Sequence, residues 1–65
     1  MSNHLGDRIR NARIAADSTQ YELAKQVGTT QQQIARYESG EQEPTVSRLI
    51  EIAKALDVTA ASLLE

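Results

Sequence analysis

The sequence predicts an all-α domain of five short helices, and three observations lead there. Apolar residues recur three and four positions apart, with alanine, leucine and isoleucine dominant and only one proline and three glycines in 65 residues. Capping signals precede the apolar segments, most clearly in Thr19-x-x-Glu22. There is no cysteine, so neither a disulfide framework nor a thiolate metal site can supplement the core. Residues 1–65 are accordingly read as one domain, stabilised by helix packing near the lower size at which a chain folds alone.

The first helix is expected from about Leu5 to Ala16, where Leu5, Ile9, Ala12 and Ala16 make one apolar stripe. The second opens at the Thr19–Glu22 capping box, turns Leu23, Ala24 and Val27 inward, and stops at Gly28. The third begins after Thr30, a capping hydroxyl with Gln33 as its reciprocal partner, and ends near Ser39-Gly40. Pro44-Thr45 starts the fourth, which is expected to bury Val46, Leu49, Ile52, Ala53 and Leu56. Thr59 caps a short fifth helix carrying Leu63 and Leu64.

Within Gln20–Tyr37, Ala24 stands four residues before Gly28 and Ile34 six after it, the spacing of a helix-turn-helix at about residues 20–38. A tight turn between helices favours a residue that accepts positive φ, and glycine does so at least cost. A small residue lets the helices approach, and a buried aliphatic anchors the second of them. At 100° per residue, Ile34 and Tyr37 mark the buried side of the third helix, and the opposite direction falls closest to Gln32. Gln31 and Gln33 flank that face, with Ala35 and Arg36. Glutamine can pair with adenine N6 and N7 in the major groove, arginine with guanine O6 and N7, and alanine can meet a thymine methyl. The pattern points to a sequence-specific double-stranded DNA-binding domain.

The charge argues less directly. Residues 1–40 carry five cations (Arg8, Arg10, Arg13, Lys25, Arg36) against four anions, whereas residues 41–65 carry two cations against five anions. The reading half is mildly basic and the acidic excess lies behind it, which is compatible with DNA binding. Arg10 and Lys25 are candidate phosphate contacts. Tyr37 is assigned to the core and Tyr21 to the surface. No apolar run approaches the roughly 20 residues of a membrane span and no signal-peptide pattern opens the chain, so a cytoplasmic location is expected.

From about Leu5 to Leu64 the chain resembles the Cro/cI-type (Xre) helix-turn-helix family. The resemblance is carried by Val27-Gly28-Thr29-Thr30-Gln31-Gln32, Thr19-Gln20, Glu22-Leu23-Ala24, Ile34, Glu38-x-Gly40, Pro44 and Leu49 through Leu56. It is especially similar to lambdoid phage repressor headpieces. That resemblance implies a five-helix, lambda-repressor-like bundle with the third helix in the major groove. It also implies two copies, a homodimer, on a pseudo-palindromic operator. Gln31, Gln32 and Arg36 match the family's base-reading positions, with Gln33 beside them. Gln20 and Thr30 match phosphate-contacting positions, and Arg13 and Glu38 match an ion pair joining the first helix to the third.

Three departures stand out. Asp17 and Ser18 replace a glycine and an aliphatic, so a looser turn is expected before the second helix. Thr29 replaces an aliphatic, and Glu41 and Glu43 occupy a loop that is often basic. An enzyme is disfavoured, because no nucleophile–base pair or phosphate-cradling glycine loop is present. His4 has no second ligand at helical spacing, so no metal or other cofactor is expected. The competing class is an antitoxin or adaptor on the same fold. Its protein partner would meet the acidic back half near Ile50 and Leu64.

Overall fold

Four threonines open four of the helices, and each does it the same way. In a computed structural model, which describes residues 4–65, the hydroxyls of Thr19, Thr30, Thr45 and Thr59 accept from the backbone N–H three residues on, at 3.0–3.1 Å. Such a cap satisfies a donor that the helix itself leaves orphaned, at about 1 kcal/mol each. The helices are α1 (His4–Ala15), α2 (Gln20–Val27), α3 (Gln31–Ser39), α4 (Val46–Ala55) and α5 (Ala60–Leu64). Only Thr19 completes a capping box, with its own N–H donating to Glu22 Oε1 at 2.9 Å. The reciprocal bond expected from Gln33 to Thr30 does not form, because the Gln33 amide is engaged by Gln42 instead.

Three helices end alike. After α2, Gly28 takes the left-handed conformation (φ 75°), and the Thr29 N–H reaches back to the Ala24 carbonyl at 2.9 Å. Asp17 after α1 (φ 57°) and Asp57 after α4 (φ 58°) do the same without being glycine. Ser18 N–H donates to Arg13 C=O at 3.1 Å, and Val58 N–H to Ala53 C=O at 2.9 Å. These are Schellman closures, which pair terminal carbonyls that would otherwise lack donors. The turn before α2 is therefore closed rather than loose. Aspartate tolerates the left-handed region better than most residues with a Cβ.

The core comprises Ile9, Leu23, Ala24, Ile34, Tyr37, Leu49, Ile52, Ala53, Leu56 and Leu63. Helix α2 packs on α3 and α4, α1 on α3 and α5, and α5 closes against α4. Ala24 is buried at the α2–α3 crossing, and Ile34 is fully buried opposite it in sequence across the turn. Two apolar expectations are corrected. Val46 is 76% exposed, since a first-turn side chain leans towards the helix N-terminus, off the end of α4. Ala16 lies past the last residue of α1, in the turn, and is exposed. Leu64, beside the buried Leu63, faces outward. No helix among the described residues is long and apolar enough to cross a membrane.

Candidate nucleic-acid interface

Helix α3 has two unlike sides. Ile34, Tyr37 and Glu38 face inward. With Glu38 counted among the buried residues, the opposite direction falls about midway between Gln32 and Arg36. Both are exposed, as is Gln31 in the first turn, while Ala35 and Gln33 are half-buried on the two flanks. The Arg36 guanidinium has an anion within reach, Glu41 Oε2 at 4.0 Å across solvent. Gln33 turns aside to the loop after α3, its Nε2 donating to Gln42 Oε1 at 2.7 Å.

Glu38 is the centre of the inner side. It is 2% exposed, yet its carboxylate meets groups from two other helices. Arg13 of α1 donates from Nε to Oε2 at 2.6 Å and from Nη2 to Oε1 at 3.1 Å, a bidentate contact. Gln20, in the first turn of α2, donates from Nε2 to Oε1 at 3.1 Å. Arg10 Nε stands 3.6 Å from the same oxygen, with its side chain half exposed. Arg13 also donates to the Ser18 carbonyl at 2.9 Å, tying α1 to the residue that leads into α2. The hydrogen bond to Glu38 raises the Arg13 pKa above its ordinary value, against the opposing effect of burial. Among the described residues no buried side-chain nitrogen or oxygen is left without a partner. The network sets the start of α2, the end of α1 and the inner side of α3 in one frame.

The sequence-predicted residues divide accordingly. Gln32 and Arg36 share an exposed edge, Gln31 is exposed at the opening turn, and Thr30 caps the helix start. Gln20 and Arg10 converge on Glu38 beside that helix. Lys25 lies elsewhere: its Nζ stands 5.4 Å over the Tyr21 ring, and it lines a shallow depression with Ala16, Glu22 and Ala55, none of them in α3. Glu41 and Glu43 are exposed in the loop after α3.

Two contacts were invisible in the sequence. Arg48 of α4 donates through Nη1 to the Val27 carbonyl, at the helix end just before Gly28, and pairs with Glu51 at 3.3 Å. A cation at a helix C-terminus is favoured by the exposed carbonyl dipoles. This cation comes from 21 residues away, a separation that carries no local signal. The second is the Gln33–Gln42 bond, which depends on a loop whose path no periodicity describes.

The helix-turn-helix family HTH_3 matches residues 9–63. An uncharacterized transcriptional regulator in the ATPase CF(0) region of Rhodospirillum rubrum is 46% identical over 55 residues, covering 85% of this chain and 51% of the relative. The cryptic phage CTXphi transcriptional repressor RstR of Vibrio cholerae is 37% identical over 57 residues, covering 88% and 51%. The chain thus spans about half the length of these curated relatives. Among solved structures, the P22 c2 repressor in complex with a synthetic operator superposes with a TM-score of 0.85 at 34% identity, over 91% of this chain and 89% of that one.

Proposed function

The chain belongs to the Xre-type helix-turn-helix family of DNA-binding transcriptional regulators, and from that premise we propose that it represses by occupying an operator read through α3. The observation that carries the reading is the exposed edge of Gln32 and Arg36, directly opposed to the buried Ile34, Tyr37 and Glu38, with Gln31 exposed at the opening turn of the same helix. That edge offers donors and acceptors to base edges, and the buried side fixes its orientation. Thr30 and Gln20 stand at the starts of α3 and α2, where N–H groups and the helix dipole favour a phosphate. Arg10 adds a half-exposed cation next to Gln20, and Lys25 is the outlying member of the phosphate set.

The operator is read by two copies. The longest dimension of the domain is 28 Å, shorter than the ~34 Å between successive major-groove faces on one side of B-DNA, so one copy reaches one half-site. A pseudo-palindrome doubles the readout without a larger domain. The P22 c2 repressor, seen in complex with a synthetic operator, supports the reading of operator DNA.

Selection of sites from random duplex DNA, followed by footprinting, is the test. Wild-type protein should enrich one motif with two inverted half-sites about one helical turn apart. Gln32→Ala should cost ~1–3 kcal/mol on the best site, concentrated at one base pair of each half-site. No enriched motif would defeat the function. A single half-site protected at one-to-one stoichiometry would defeat the dimer.

A further inference from the structure

Gln42 belongs to the loop between α3 and α4 and is bonded to α3 twice. Its backbone N–H donates to the Arg36 carbonyl at 3.3 Å, which fixes where the residue sits. Its side-chain Oε1 accepts from Gln33 Nε2 at 2.7 Å. Gln33 is half-buried on the flank of α3, next to the exposed edge of Gln32 and Arg36.

A glutamine amide has one carbonyl oxygen and two N–H donors. Its terminal torsion is soft, so a free amide presents oxygen or nitrogen outward with similar ease. Such a side chain meets a base donor or a base acceptor equally well and discriminates little. The bond to Gln42 uses one N–H of Gln33 and removes that freedom. What remains is Oε1 and one N–H, the pair that bidentate contact with adenine N6 and N7 requires. Ordering the amide before DNA arrives also removes part of the entropy lost on binding.

We propose that Gln42 is a positioning residue for sequence readout, holding the Gln33 amide in the orientation that selects adenine at one base pair of each half-site. The inference rests on the DNA-reading function proposed above and extends it to the α3–α4 loop. Gln42 itself acts through Gln33 and reads no base.

Site selection from random duplexes tests it, using wild type, Gln33→Ala, Gln42→Ala, Gln42→Glu and Gln42→Lys. Gln33→Ala identifies the base pair, as the position whose adenine preference disappears. Gln42→Ala should reduce that preference at the same position by roughly two- to tenfold, the worth of one net hydrogen bond, and leave the other positions unchanged. Gln42→Glu keeps an acceptor for the Gln33 N–H, so it should retain the preference while overall affinity falls from the added charge. Gln42→Lys has no acceptor, so it should lose the preference while overall affinity rises. Opposite movement of affinity and selectivity in these two variants separates orientation from electrostatics. The inference is overturned if Gln33→Ala alters no position, if Gln42→Ala leaves the preference intact, or if Gln42→Ala weakens every position alike or changes a different one. A wild-type protein that enriches no motif would instead overturn the underlying DNA-reading function.

Discussion

Replacing Arg13 by alanine leaves Glu38 where it is, 2% exposed, with its bidentate partner gone. Gln20 would still donate at 3.1 Å and Arg10 would stand 3.6 Å away, but neither supplies the two short charge-assisted bonds. Stranding one member of a buried ion pair costs about 3–5 kcal/mol. A domain of this length holds only ~3–10 kcal/mol in total, so Arg13→Ala should lose most of its stability. Exchanging both members for apolar residues of similar volume, Arg13→Met with Glu38→Leu, leaves no charge to strand. That double variant should lie within about 2 kcal/mol of wild type, and on either side of it. There is no tryptophan, so urea unfolding is best followed by far-ultraviolet circular dichroism. With a slope of about 1 kcal/mol/M for so small a chain, the single variant should move the midpoint by about 3–5 M. A midpoint shift below about 1 M for Arg13→Ala would refute the reasoning, because the carboxylate would then be reaching water. A double variant as unstable as the two single variants combined would refute it from the other side.

Glu41→Lys removes the carboxylate near Arg36 and adds a cation beside the proposed DNA path. Affinity should rise and the salt slope should steepen by about one unit in a titration at several ionic strengths. Gly28→Ala should cost about 1–2 kcal/mol in chemical denaturation, entirely as backbone strain, since φ is 75° and an added Cβ would meet nothing within 4 Å. Asp57→Gly relieves the same strain at φ 58° and should stabilise by a few tenths to 1 kcal/mol. Arg13 has its pKa raised in the folded protein, so its contribution is fully present below the unfolded value and is lost only as pH rises through the folded one. The stability difference between wild type and the double variant Arg13→Met with Glu38→Leu, which strands no carboxylate, should therefore stay flat from about pH 6 to 9, measured by urea unfolding at each pH.

Much of the fold was legible because its signals are local. Thr19, Thr30 and Thr59 cap their helices through bonds spanning three residues, and Gly28 closes α2 through bonds spanning three and five. The inward stripe of α3 follows from 100° per residue, and so does the exposure of Gln32 and Arg36. Periodicity describes an endless helix, and it misplaced residues where helices end. Val46 and Ala16 continue their stripes in phase, yet one lies at the opening turn of α4 and the other beyond the close of α1. The turn at Asp17 was read from the lack of a glycine, although the same Schellman closure forms on an aspartate. Around the site, Arg48 on Val27 and Gln42 on Gln33 are tertiary contacts. Each depends on how α4 and its preceding loop return to the helix pair, which no spacing within either segment encodes.

Helix α3 is only nine residues long, and its two sides answer to different demands. Glu38 is joined to residues of α1 and α2, so a change there disturbs three helices together. Gln32 and Arg36 on the opposite side, and Gln31 at the opening turn, meet mainly water, and substitutions at such positions usually shift stability by less than about 0.5 kcal/mol. Descendants of such a chain can exchange those three side chains one at a time, and every intermediate on the way stays folded. A duplicated copy therefore parts from its ancestor's targets through a short walk of tolerated steps, with the scaffold inherited unchanged.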